Sequence, residues 1–172
     1  NHHIETDVIN SMGKAYGVEA MLKKNTGKLN GWVSYTYSRS LVKSDGNEET
    51  EVINNGKYYP SNFDKPHDLT FVGNYRFSRR FSTSVNLTYS TGRPITVPLA
   101  TYELGGVKRV YYSDRNQFRI PDYYRADIAL NIEGNHKVRK LAHSSWTVSV
   151  YNITGRKNPY SIYFISEDSK IK

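Results

Sequence analysis

No cysteine occurs anywhere in the chain, which excludes disulfides and thiolate metal sites. No apolar run approaches the roughly 18 residues of a membrane-crossing helix, and mean hydropathy is only −0.68. Neither fact argues against a β-barrel, whose strands are short and apolar only at every second residue. Sets of a nucleophile with its base, and metal-ligating clusters, are also missing. An enzyme is therefore the least favoured class, with no catalytic residue, metal or cofactor expected. Pro66-His67-Asp68 offers one imidazole and one carboxylate, short of the three or four protein ligands of a zinc site. It reads instead as a loop end and a strand start, and His2-His3 lack partners in the same way. Thr91-Gly92-Arg93-Pro94 lacks the spacing and the Lys of a phosphate loop and marks a strand-to-loop exit.

Acidic residues are in deficit: 16 Asp and Glu stand against 24 Lys and Arg, for a net charge of +8. Such a balance suits nucleic acid, an anionic membrane surface or an acidic ligand. Here the cations gather between the apolar segments, at Lys23-Lys24, Arg79-Arg80 and Lys137 to Lys140. Solvated turns beside a membrane account for that pattern. The opening Asn1-His2-His3 begins in mid-sequence, so the chain reads as a fragment of a longer protein.

What the chain does contain is a two-residue rhythm. From Phe81 to Thr91 one parity holds Phe81, Thr83, Val85, Leu87 and Tyr89; the other holds Ser82, Ser84, Asn86, Thr88 and Ser90. A strand points successive side chains to opposite faces, so this segment has one apolar and one polar face. Similar segments lie near Ala15–Lys24, Lys28–Leu41, His67–Phe77, Tyr123–Ile132 and Ser145–Ile153. Tyr160–Ile165 reads equally as a seventh strand or as the root of a loop. The aromatics are 15 Tyr, 6 Phe and 2 Trp, a Tyr excess that suits strands and membrane interfaces.

The connections alternate in length. Residues 25–27 and 78–80 are short turns, whereas 42–64 and 92–122 are long and rich in Gly, Asn and Pro. Pro94, Pro98 and Pro121 forbid one continuous central strand across the second. The fold expected is all-β: an antiparallel up-and-down meander forming a partial wall of a large transmembrane β-barrel. Short periplasmic turns and long external loops are the rule in such barrels. By that rule the linker 133–144 falls on the periplasmic side. Long loops are uncommon unless functional or disordered. Tyr58, Tyr59, Arg109, Tyr111, Tyr112, Arg115 and Arg119 lie in these two, near Tyr102 and Tyr123. Tyr stacks on sugars and flat chelates, and Arg pairs anions bidentately, so the seven are the candidate ligand contacts. An interfacial aromatic belt is the structural alternative. Arg125 and Asp127 share the polar face and read as a polar network on the lumen wall.

Six stretches in order carry a family resemblance: Tyr16-Gly17-Val18-Glu19; Gly31 to Ser40; Phe63-Asp64-Lys65-Pro66-His67-Asp68-Leu69; Tyr89-Ser90-Thr91-Gly92-Arg93-Pro94; Tyr123-Tyr124-Arg125-Ala126-Asp127; and Tyr151-Asn152-Ile153-Thr154-Gly155-Arg156-Lys157-Asn158. The chain resembles the C-terminal barrel region of TonB-dependent outer-membrane receptors, of the kind found in Bacteroidetes. The resemblance implies a barrel of about 22 strands closed by an N-terminal plug, of which this chain lacks the plug, the TonB-pairing segment and the final strand. It implies outer-membrane lipid, the plug and TonB as partners, with a surface lipoprotein as a further one, and places Arg125 and Asp127 against the plug. The cargo implied is a siderophore, a cobalamin-like chelate or a glycan, not nucleic acid. Two other classes compete: a soluble β-protein binding nucleic acid or glycan through Tyr and cations, and a passive porin or adhesin barrel.

Overall fold

Alternating Tyr, Val, Leu and Thr suit a pleated surface covered on one side only, and the chain builds such a surface. A computed structural model describes residues 10–44, 46, 52–134, 144–167 and 170–171. His2, His3, Asp45, Asn47 and the cations of 137–140 lie outside these. The strands are β1 (Met12–Lys24), β2 (Leu29–Lys43), β3 (Tyr59–Pro60), β4 (His67–Arg76), β5 (Phe81–Ser90), β6 (Pro94–Ile95), β7 (Pro98–Leu104), β8 (Val107–Tyr112), β9 (Phe118–Arg119), β10 (Tyr123–Glu133), β11 (Ser145–Val150), β12 (Ser166–Glu167) and β13 (Lys170–Ile171). The regular structure is otherwise one 3-10 turn, Asn54–Gly56, among the described residues.

The main sheet is antiparallel throughout, in the order β1-β2-β4-β5-β10-β11, with β3 added beside β2. Consecutive wall strands are neighbours, so the expected meander is met. Strand bounds differ at the margins. β1 starts at Met12 because β2 runs on to Lys43 and the two pair. β11 stops at Val150, short of Ile153. Asn152 turns the chain at φ 52° and its N–H donates to Asp127 Oδ1. Tyr160–Ile165 forms no strand.

The cross-strand register keeps the two faces separate. Val33 lies opposite Phe71, Phe71 opposite Leu87, and Leu87 opposite Ala126. Leu22 joins Val33, while Val85, Ile128 and Val150 line up across β5, β10 and β11. On the other face Ser34, Thr70, Thr88 and Arg125 are in line, as are Asn86 and Asp127. A one-residue slip in any strand would have reversed its faces.

Burial is sparse in this wall. Leu22 is 73%, Val18 70% and Val148 62% exposed. Most buried residues gather instead at the end where the long connections leave: Ser44, Tyr59, Asp64, Ser90, Gly92, Pro94, Ser113, Asn116 and Ile120, with Ala126 further down β10 and Gly73 within β4. The sheet is open, with β1 and β11 as its edges. Exposed edges and a broad apolar face both drive association in water. As an isolated chain in detergent-free buffer, the protein is expected to scatter light as oligomers or aggregates. A monodisperse monomer would mean that something covers the apolar face.

Candidate functional site

The long connections are built up from the strand ends. Asp64 is fully buried. Its Oδ1 accepts from the Ser40 N–H at 2.7 Å and from Arg39 Nε at 3.1 Å. Its Oδ2 accepts from Arg119, whose other terminal nitrogen donates to the Asp64 carbonyl at 2.7 Å and the Gly92 carbonyl at 2.9 Å. One carboxylate thus joins β2, the first long connection and the second. A buried carboxylate is tolerated only when paired and hydrogen-bonded, and this one is.

A second anchor lies beside it. Asp122 accepts from Tyr89 Oη at 2.6 Å and from the Gly92 N–H at 2.9 Å. Gly92 is pressed against the returning chain: a Cβ there would lie 1.8 Å from the Ile120 carbonyl oxygen. The two connections also meet through side-chain amides. Asn54 donates to the Arg115 carbonyl and accepts from its N–H, and Asn116 donates to the Pro60 carbonyl and to Asn62.

Burial pushes the Asp64 carboxyl upward, but bonds from the Ser40 N–H, Arg119 and Arg39 outweigh it and hold it below the ordinary carboxylate range. Asp122 is lowered too, first by Tyr89 and then by the Gly92 N–H. A depressed carboxylate stabilises the fold above its unfolded value, about 3.9, and that stability is lost as pH falls through the folded value. Protease cutting in 44–66 and 91–122 should therefore stay flat from about pH 8 to 5 and rise only below about 4. A rise near pH 6 would point to a different titrating group.

The seven candidate contacts fall into four settings. Tyr59 is buried, with its hydroxyl 3.3 Å from Ser44 Oγ, and Arg119 is held by Asp64 and Gly92. Tyr58 is exposed, and Lys14 Nζ sits 4.0 Å over its ring. Arg109, Tyr111 and Tyr112 stand on β8, in a hairpin arm with β7. The register puts Tyr102, Arg109 and Tyr111 on one face of the arm and Tyr112 on the other. Arg115 borders a separate open depression of about 380 Å³ with Asn62, Arg93 and Phe164. Arg125 pairs with Asp127 at 2.7 Å on the polar face, an intramolecular network.

Sequence reasoning did not find a further recess. A cleft of about 420 Å³ opens at the loop end and is bordered by Lys65, Ser90, Arg93, Tyr123, Pro159 and Tyr160. Its back wall is the polar face of β5 and β10, since Ser90 lies opposite Tyr123. Its flank is the segment after β11, held when Asn158 pairs with both the N–H and the carbonyl of Tyr124. Arg156 helps by donating to the Asp122 carbonyl and stacking 4.0 Å from the Tyr124 ring. The one local signal was Asn152-Ile153-Thr154-Gly155, a turn sequence whose docking partner lies far off in the chain.

Among the described residues no group of three or more His, Cys, Asp or Glu side chains is placed to hold a metal ion. Comparison with protein-family models, with curated proteins and with solved structures finds no match.

Proposed function

We propose that this chain forms part of the barrel wall and the external loop cluster of an outer-membrane receptor that takes up a small molecule or glycan by TonB-coupled transport. It binds and passes cargo and catalyses no reaction. The observation that carries the reading is the uncovered apolar face running without interruption across six strands, backed by a polar face. In water such a face is a liability; in lipid it is the required outer surface. The lengths support it: β4 and β5 have 10 residues each and β10 has 11, where about 9–11 residues span a bilayer as tilted strands. The loop asymmetry supports the sidedness, with the anchored connections and the arm outside the cell. The plug, TonB and a surface lipoprotein then follow as partners from the family resemblance. Arg125 and Asp127 face the plug.

Spin labels placed one at a time from Thr83 to Thr88 in the complete receptor, reconstituted in lipid, test the wall. Collisions with oxygen should peak at Thr83, Val85 and Leu87, and collisions with a water-soluble nickel complex at Ser84, Asn86 and Thr88. Equal aqueous access at all six positions would replace this reading with a soluble β-protein.

A further inference from the structure

We propose that the cleft between β5, β10 and the segment after β11 binds an acidic saccharide, a sugar ring bearing a carboxylate. This rests on the receptor reading and names the class of cargo. Four observations carry it.

The first is an orphaned hydroxyl. Ser90 is only 7% exposed, its Oγ has no hydrogen-bond partner, and it borders the cleft. A buried polar group left unpaired costs free energy, and an unpaired one in a native structure calls for a reason such as a missing ligand. The second is unbalanced charge. Lys65 and Arg93 both line the cleft, and neither has a carboxylate partner among the described residues. The nearby acids are already committed. Asp64 is ion-paired with Arg39 and Arg119, and the Asp122 carboxylate is hydrogen-bonded by Tyr89 and the Gly92 N–H, with Arg119 and Arg156 as its neighbouring cations. Asp68 lies opposite Ser90 on β4 but does not border the cleft. Its carboxylate would repel an anion placed too deep, so the ligand's carboxylate belongs at the mouth, by Lys65 and Arg93.

The third is the wall chemistry. Tyr123 and Tyr160 offer ring faces and hydroxyls, and Ile120, Pro121 and Pro159 offer flat apolar surface. A sugar presents C–H faces for such rings and hydroxyls for such donors. The fourth is size: about 420 Å³ lies within the range of small-ligand sites, about 300–1,000 Å³. Arg93 Nη2 donates to Ser161 Oγ at 3.2 Å, which leaves its other N–H groups for a carboxylate.

The probe is tri-galacturonic acid, with its fully methyl-esterified form as the neutral twin, titrated into the complete receptor by calorimetry. The acid should bind roughly tenfold more tightly than the ester, the difference made by a charge-assisted pair. Lys65→Gln and Arg93→Gln should each bring that ratio close to one, whereas Arg79→Gln, on a short turn at the far end, should leave it unchanged. Ser90→Ala should weaken both probes about threefold yet leave the melting temperature of the ligand-free receptor equal or higher, because the orphaned hydroxyl is gone. Equal affinity for acid and ester, or an acid-to-ester ratio that survives both cation variants, overturns the proposal. So does a receptor that binds neither probe and melts lower in all three cleft variants; the cleft would then seat the plug. Membrane fractionation separates this from the receptor reading: an outer-membrane protein that ignores the acid loses only the cleft proposal.

Discussion

Replacing Asp64 with Ala is expected to release both long connections while the wall stays paired. Two guanidinium groups and the Ser40 N–H would lose their shared acceptor. Removing one partner of a buried ion pair typically costs about 3–5 kcal/mol, because the remaining charge is left uncompensated. Arg39 and Arg119 keep partial solvent access, at 28% and 27% side-chain exposure, so the lower half of that range applies. Hydrogen exchange is the measurement. The Ser40, Ser61, Gly92 and Ile120 amides should lose protection, since their bonds run through or beside Asp64. The amides pairing Phe71 with Leu87 should not. Uniform loss across β4 and β5 would show that the anchor and the wall unfold as one unit. Replacing Asp64, Arg39 and Arg119 together with apolar residues should recover part of the loss, as buried ion networks often allow.

Gly31→Ala is expected to be more damaging than its size suggests. Gly31 has φ 150° and faces Gly73 across β2 and β4. A Cβ on Gly31 would lie 2.0 Å from the Val72 carbonyl oxygen and 2.9 Å from the Gly73 Cα, both backbone atoms that cannot step aside. Either the β2–β4 ladder opens locally or Gly31 leaves a conformation that L-residues seldom adopt. Strain of this kind costs roughly 1–3 kcal/mol or more. It also threatens register, which the pleat propagates down the strand. If the proposed receptor reading holds, the folded, heat-modifiable band on gels should fall several-fold. Gly73→Ala is the internal control: its Cβ would meet the Phe71 ring at 2.8 Å, a side chain that can rotate away. If both variants assemble equally well, close approach at Gly31 does not matter.

The wall was legible in the sequence because its physics is local. Ser84 and Val85 announce their faces by alternation alone, and a two-residue period needs no knowledge of distant neighbours. Strand ends were less legible, since Met12 is strand only because Lys43 arrives opposite it. The site was legible in location and not in assembly. Arg119 and Tyr59 read as ligand contacts, but Arg119 is bound to Asp64 across 55 residues of chain, a pairing that composition cannot reveal. The arm turns at Gly105-Gly106, between Leu104 and Val107, a hairpin signal that the prolines of the same connection obscure. Ser90 passed as one more small hydroxyl on a polar face. That its Oγ is left unpaired depends on the assembled fold.

The alternation of short turns and long connections also sets an order of events in time. β1 with β2, and β4 with β5, are hairpins closed by a few residues, and short loops close fastest. β10 must find β5 across the connection from Thr91 to Asp122, where closure entropy is paid before any pairing rewards it. Until it arrives, Phe81–Ser90 stands as a ten-residue unpaired edge. The Asp64–Arg119 bond closes a comparable span, 55 residues of chain, and carries the same entropic cost. The hazardous interval in biogenesis therefore falls between the second hairpin and the docking of β10, and a binder of extended edges would be most useful to this chain during that interval.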